Sequence, residues 1–164
     1  MDSATQVGPL VSKQHYEKVI SYFDIAKEEG AMIVCGGVDE KLSARGYFVR
    51  PTVITNVHPT ESRLQKEEIF GPVVTITPFT TEEEVVKYAN ATQYGLSASV
   101  WTESLKKANF VSRGLKVGTV WINTWMKRDL NMPFGGVKNS GLGREGLDDS
   151  EHFFTEDKTI CIQH

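Results

Sequence analysis

Cysteine is scarce in this chain. Cys35 and Cys161 are the two present, far apart and outside any Cys-x-x-Cys pattern. That excludes a disulfide framework and predicts a reducing compartment. The histidines His15, His58, His152 and His164 show no ligand spacing, so no metal site is expected. Long apolar runs are missing, since none approaches the roughly 20 residues that cross a bilayer. The opening segment, Met1 to Gln6, is polar and has no apolar h-region, which predicts no secretory signal. The glycosylation sequon Asn90-Ala91-Thr92 is then a chance match. Basic runs are missing too, and the formal net charge is −3. Binding to nucleic acid or to an anionic membrane therefore gains no electrostatic support. There is no internal repeat, no low-complexity tract, and no Ser-His-Asp order or paired-carboxylate site. What these absences leave is a cytosolic globular protein.

What is present fits that class. A compact chain of 164 residues buries roughly 70% of its unfolded surface, enough for a real core. Ser12 can cap a helix from Lys13 to Glu29, closed by Gly30, with Tyr16, Val19, Ile20, Phe23 and Ala26 on one apolar face. Met32 to Cys35 reads as a strand stopped by Gly36-Gly37, and Val38 to Arg45 as a loop. Tyr47 to Val57 is rich in β-formers, but Pro51 predicts an edge or irregular strand. A short helix is possible between His58 and Glu67.

A more regular stretch follows. Val73 to Phe79 reads as a strand. Thr81 and Glu84 make a capping box for a helix to Asn90, with Val85, Val86, Tyr88 and Ala89 as its inner side. Ser97 to Trp101 is a second strand. Ser104 opens a helix to Arg113, with Leu105, Ala108 and Val111 or Phe110 inward. Gly118 to Ile122 is a third strand. Strands and helices alternating with short links predict an α/β fold with a parallel sheet and right-handed crossovers. Beyond Asn123 the chain turns irregular and Gly-rich. A short helix is expected from Arg144 to Phe153 and a final strand from Lys158 to Gln163.

Four segments carry chemistry. In Glu67-Glu68-Ile69-Phe70-Gly71-Pro72, the plain reading packs Ile69 and Phe70 into the core ahead of a turn. The functional reading presents a carboxylate and an aromatic ring at the C-terminal edge of a sheet, where α/β ligands bind. A carboxylate can accept from both hydroxyls of a ribose, and an aromatic face can pack on nicotinamide. Gly141-x-Gly143-x-x-Gly146 matches a dinucleotide fingerprint in letters only, because no strand leads directly into it and no acid follows about 20 residues on. Trp125 and Phe134, near the end of the third strand, are either core aromatics or walls of a substrate tunnel. Arg128 is either a carboxylate anchor or a surface residue paired with Asp129 or Glu145. Cys35 and Cys161, in apolar strands without a nearby base, read as buried, inert thiols.

Taken together, Lys66-Glu67-Glu68-Ile69-Phe70-Gly71-Pro72-Val73, Trp121-Ile122-Asn123 and Pro133-Phe134-Gly135-Gly136-Val137-Lys138-Asn139-Ser140-Gly141-Leu142-Gly143-Arg144-Glu145 resemble the C-terminal part of NAD(P)-dependent aldehyde dehydrogenases. The resemblance runs from Gly8-Pro9-Leu10-Val11 to the tail. It implies the parallel-sheet part of that family's catalytic domain over residues 1–154 and an oligomerisation strand over 155–164. It also implies NAD as cofactor, bound in part by Glu68 and Phe70, and a small-molecule aldehyde substrate beside Trp125 and Phe134. Trp125-x-x-Arg128-Asp129-Leu130 resembles the branch that oxidises 2-aminomuconate or 2-hydroxymuconate semialdehyde, with Arg128 on the substrate carboxylate. Retinal or another apolar aldehyde is the alternative within the family.

In that family a cysteine thiolate attacks the aldehyde, hydride passes to NAD, and a glutamate-activated water releases the acid. The family's cysteine, glutamate, oxyanion asparagine and most of its dinucleotide contacts belong upstream of Met1. No catalytic residue is therefore expected in this chain. The competing expectation is a truncated, non-catalytic product that acts as an interaction module. In either case the resemblance implies a homo-oligomer or association with full-length subunits.

Overall fold

Helix α1, Lys13–Glu28, begins where the Ser12 hydroxyl accepts from the His15 amide at 3.2 Å. The computed structural model describes residues 3–164; Met1 and Asp2, which open the polar N-terminal segment, lie outside the described residues. Of the expected apolar stripe of α1, Val19, Phe23 and Ala26 are buried and Tyr16 and Ile20 are half-buried against the same core, while Tyr22, outside the expected stripe, is buried with them. The buried side chains meet Val49, Ile54, Val57, Leu64 and Ile69 to form the core of the first of two compact units, Met1–Thr92 and Gln93–His164.

Three strands complete the first unit: β1 (Met32–Gly37), β2 (Arg50–Thr55) and β3 (Val73–Thr75), in the order β1-β2-β3. The β1–β2 pair is antiparallel and the β2–β3 pair parallel. Of the edge or irregular strand expected around Pro51, the irregular one forms: β2 is central, and its pairing with β1 is bulged. The register slips between Cys35 and Gly37 opposite this part of β2, and a proline missing its N–H is tolerated at such a bulge. The expected loop at 38–45 contains one short helix, α2 (Glu40–Ser43), because the Asp39 carboxylate caps the amides of Lys41 and Leu42. Helix α3 (Arg63–Lys66) sits on the crossover from β2 to β3.

Helix α4, Glu82–Asn90, opens with the expected box: the Glu84 amide donates to Thr81 Oγ1 at 3.2 Å and the Thr81 amide to Glu84 Oε2 at 3.3 Å. Its inner side is only half covered. Val85, Val86 and Tyr88 are half-buried and Ala89 is exposed, because among the described residues no element packs broadly along this helix.

In the second unit, β5 (Ser97–Val100) and β6 (Thr119–Ile122) run parallel, joined through α5 (Leu105–Gly114). Ala108 and Val111 are the buried residues of α5. Leu105, at its first position, and Phe110 face solvent. The alternating strands expected to share one sheet thus pair in two places, β3 with β2 and β5 with β6. Two-residue strands β4 (Tyr94–Gly95) and β7 (Val137–Lys138) pair antiparallel. Helix α6 (Leu147–Phe154) starts three residues later than expected, because Gly146 occupies the N-cap position with φ 150°. Residues 155–164 are exposed and form neither helix nor strand. A strand exists only through a partner for its N–H and C=O groups, and among the described residues the tail has none. Among the described residues no helix is long and apolar enough to cross a membrane.

Candidate functional site

Two clusters hold the residues expected to contact ligands, one in each unit. In the first unit, the turn from α3 into β3 sorts two adjacent acids. Glu67 is a structural anchor. Tyr22 Oη donates to its carboxylate at 2.9 Å, and Arg63 donates through Nε at 2.9 Å and Nη2 at 3.0 Å. The Arg63 hydrogen bonds hold the Glu67 carboxyl below its ordinary range and outweigh the opposing effect of partial burial. Glu68 is exposed, and among the described residues its carboxylate has no partner. Its backbone carbonyl accepts from Lys18 Nζ at 2.8 Å.

Ile69 and Phe70 also part company. Ile69 joins the core, whereas Phe70 is 69% exposed, so the core reading holds for one and fails for the other. Phe70 adopts φ 60°, a left-handed conformation that a bulky side chain rarely takes. Its carbonyl lies 2.6 Å from His15 Nε2, which acts as donor, and the two rings stand 5.7 Å apart. With Gly71 following, the turn can lie against α1: a Cβ there would come within 2.8 Å of the Val19 methyls. Phe70, Leu10, Val49 and Pro72 border an open recess of about 450 Å³. An unpaired carboxylate and an outward ring, each on a backbone carbonyl gripped from α1, suit a ribose and a flat heterocycle.

In the second unit, the loop after β6 carries the other candidates. Trp121, 6% exposed, donates its indole N–H to the Lys127 carbonyl at 2.8 Å and meets Trp125 edge-on at 5.1 Å. Ser99 Oγ donates to the Thr124 carbonyl at 2.8 Å. The Asn123 side chain pairs with both the amide and the carbonyl of Thr102. Trp125 is 59% exposed, so it is not a core aromatic. Phe134 is half-buried and bridged through its backbone to Glu145. The Arg128 guanidinium lies over the Phe134 ring, 3.7 Å from its centroid. The alternative ion pair does not form: among the described residues Arg128 contacts neither Asp129 nor Glu145, and the Asp129 carboxylate accepts instead from the Asn131 amide. An open recess of about 550 Å³ adjoins Arg128, Leu130, Met132 and Phe154.

The Gly-rich segment serves packing. A Cβ on Gly118 would strike the Gly135 carbonyl oxygen, and the strand nearest to Gly141 is the two-residue antiparallel β7. That is not the context of a dinucleotide fingerprint. Arg144 ties the segment by donating to the carbonyls of Gly136 and Gly143. The expectation of buried thiols fails, because Cys35 and Cys161 are both free and exposed. Cys35 lies on an edge strand and Cys161 in the unpaired tail. Among the described residues no group of His, Cys, Asp and Glu could hold a metal ion.

Sequence reasoning gave no separate site role to His15, Lys18, Glu67 or Trp121. The three-residue spacing of His15 and Lys18 on one face of α1 was the available signal for the first two. For Trp121 it was a large aromatic ending a strand.

The sequence matches the aldehyde dehydrogenase family over residues 1–160, and the chain belongs to that family. Across 99% of its length it is 52% identical to a 2-aminomuconic semialdehyde dehydrogenase from Bos taurus. It is 44% identical over the same share to a 2-aminomuconic 6-semialdehyde dehydrogenase from a Pseudomonas species. It covers 34% and 33% of these relatives, so it spans about a third of their length. Among solved structures, the NAD+ complex of an aldehyde dehydrogenase from Bacillus cereus superposes with a TM-score of 0.85 at 46% identity, over 95% of this chain and 31% of that one. The fold is accordingly an α/β part of an aldehyde dehydrogenase catalytic domain, with parallel strand pairs as expected.

Proposed function

We propose that this chain supplies part of the cofactor and substrate site of an NAD-dependent aldehyde dehydrogenase that oxidises a muconate semialdehyde to the acid. The observation that carries the reading is Arg128. Its guanidinium is exposed, rests on the Phe134 ring and has no carboxylate partner among the described residues. Such a group is a receptor for a carboxylate, and a neutral aldehyde needs none. The names of the bovine and Pseudomonas relatives agree with a substrate that bears a carboxylate beside its aldehyde. Trp125 and Phe134 then wall the substrate path. Glu68 accepts from the ribose hydroxyls and Phe70 packs on the nicotinamide; the exposure of both side chains and, among the described residues, a Glu68 carboxylate with no partner support that use. Bound NAD supplies the hydride acceptor.

The test is Arg128→Ala in a complete dehydrogenase that carries this sequence as its matching third. Loss of a charge-assisted contact should raise KM for the acidic semialdehyde by about tenfold or more, with KM for a neutral aldehyde within about twofold. An equal rise for both substrates removes the anchor and favours retinal or another apolar aldehyde.

The same proposal covers assembly and setting. Residues 1–154 form the catalytic-domain portion. Residues 155–164 add a strand across a subunit boundary, in a homo-oligomer or against a full-length subunit. Ile160 and Ile162 support this: they alternate along the tail and are 73% and 75% exposed. A cytosolic setting suits two free thiols in the absence of a disulfide.

A further inference from the structure

Two of the ties that hold the loop carrying Arg128 spring from one rung of the β5–β6 ladder. Ser99 and Trp121 are register partners in that ladder. The Ser99 hydroxyl reaches the Thr124 carbonyl and the Trp121 indole N–H reaches the Lys127 carbonyl, each at 2.8 Å. A buried indole N–H must find an acceptor, and here it finds one six residues along its own chain. Between strand and anchor the backbone passes through left-handed conformations at Asn123, φ 53°, and Met126, φ 56°. Non-glycine residues hold such conformations only where the surroundings fix them. The carbonyl of Lys127 and the amide nitrogen of Arg128 belong to one planar peptide group. Holding that carbonyl therefore sets the plane from which the Arg128 side chain departs.

We infer that Trp121, seconded by Ser99, is a positioning residue that sets specificity for a carboxylate-bearing aldehyde by fixing the peptide plane of Arg128. The inference rests on the reading of Arg128 as the substrate's anchor. Trp121 itself is covered by its own unit and acts through the loop.

A double-mutant cycle tests it in the complete dehydrogenase that carries this sequence. Trp121→Phe keeps an aromatic ring and removes the N–H. KM for the acidic semialdehyde should rise about fivefold, the loss expected for one hydrogen bond, while KM for a neutral aldehyde stays within about twofold. In an Arg128→Ala background the same change should add nothing further, since there is no anchor left to position. A merely structural role would give equal losses for both aldehydes, or the same loss with and without Arg128, and either result overturns the inference. Where Arg128→Ala fails to separate the two aldehydes, the anchor reading falls and this inference falls with it. Where Arg128→Ala separates them and Trp121→Phe does not, this inference falls alone. Should Trp121→Phe not fold, Ser99→Ala carries the test by releasing the other tie, with about a threefold rise expected for the acidic substrate alone.

Discussion

Glu67 and Glu68 are neighbours with opposite fates, and the difference lies in what faces them. Glu67 meets Arg63 and Tyr22 and is spent on holding the turn. Glu68 points to solvent. Because the folded Glu67 carboxyl is held below the ordinary value of 4.5, its stabilisation is complete above that value and is lost as pH falls through the lowered one. Glu67→Gln should therefore shrink the difference in urea midpoint between pH 7 and acid pH. An unchanged difference would show that the Arg63 contact adds no pH-dependent stability. The letters Glu-Glu-Ile-Phe-Gly-Pro name both acids alike. Their separation into anchor and free carboxylate depends on Arg63, four residues back, and on Tyr22, far away in sequence, and the Tyr22 part is decided only by the fold. Phe70 is similar: its outward ring follows from a left-handed backbone held by His15, which no hydrophobicity pattern displays.

Among the elements, those specified by local chemistry were the legible ones. α1 and α5 begin at Ser12 and Ser104, and α4 begins at Thr81, as their capping residues predict. Thr81→Ala should lower unfolding free energy by about 1 kcal/mol in urea titration, the usual worth of such a cap. A loss below about 0.3 kcal/mol would show that α4 is held by other means. The existence of β1, β2, β3, β5 and β6 was also readable from β-forming runs, but β4 and β7 were not, the strand expected at the tail does not form, and strand neighbours were not legible. β2 is central despite Pro51, because the bulge opposite it removes the need for that N–H. The inner face of α4 was readable as apolar, yet its coverage depends on what packs there, and within the described residues that is little.

The molecule as a whole divides at Thr92/Gln93, with the cofactor candidates Glu68 and Phe70 in the first unit and Trp125, Arg128 and Phe134 in the second. Composition does not change at that point, so nothing in the sequence marks the division. The tail offers the clearest test at this level. Removing residues 155–164 should lower the oligomeric order measured by light scattering across concentration, because it deletes the exposed Ile160 and Ile162 together with a row of unpaired backbone groups. The same scattering mass with and without the tail, at every concentration, would end its assignment as an interface strand.

By itself the sequence determined the family, the α/β class and the starts of α1, α4 and α5, and it named the candidates proposed to touch cofactor or substrate. Each of these is carried by residue identity and near-neighbour spacing. Tertiary structure alone decided which acid is free, which aromatic faces outward, that Arg128 lies on Phe134 rather than beside Asp129, and that Trp121 holds the loop beneath it. Those outcomes depend on backbone angles or on contacts outside helical or strand spacing, six residues apart for Trp121–Lys127 and Arg128–Phe134 and 45 for Tyr22–Glu67, and a linear pattern encodes neither.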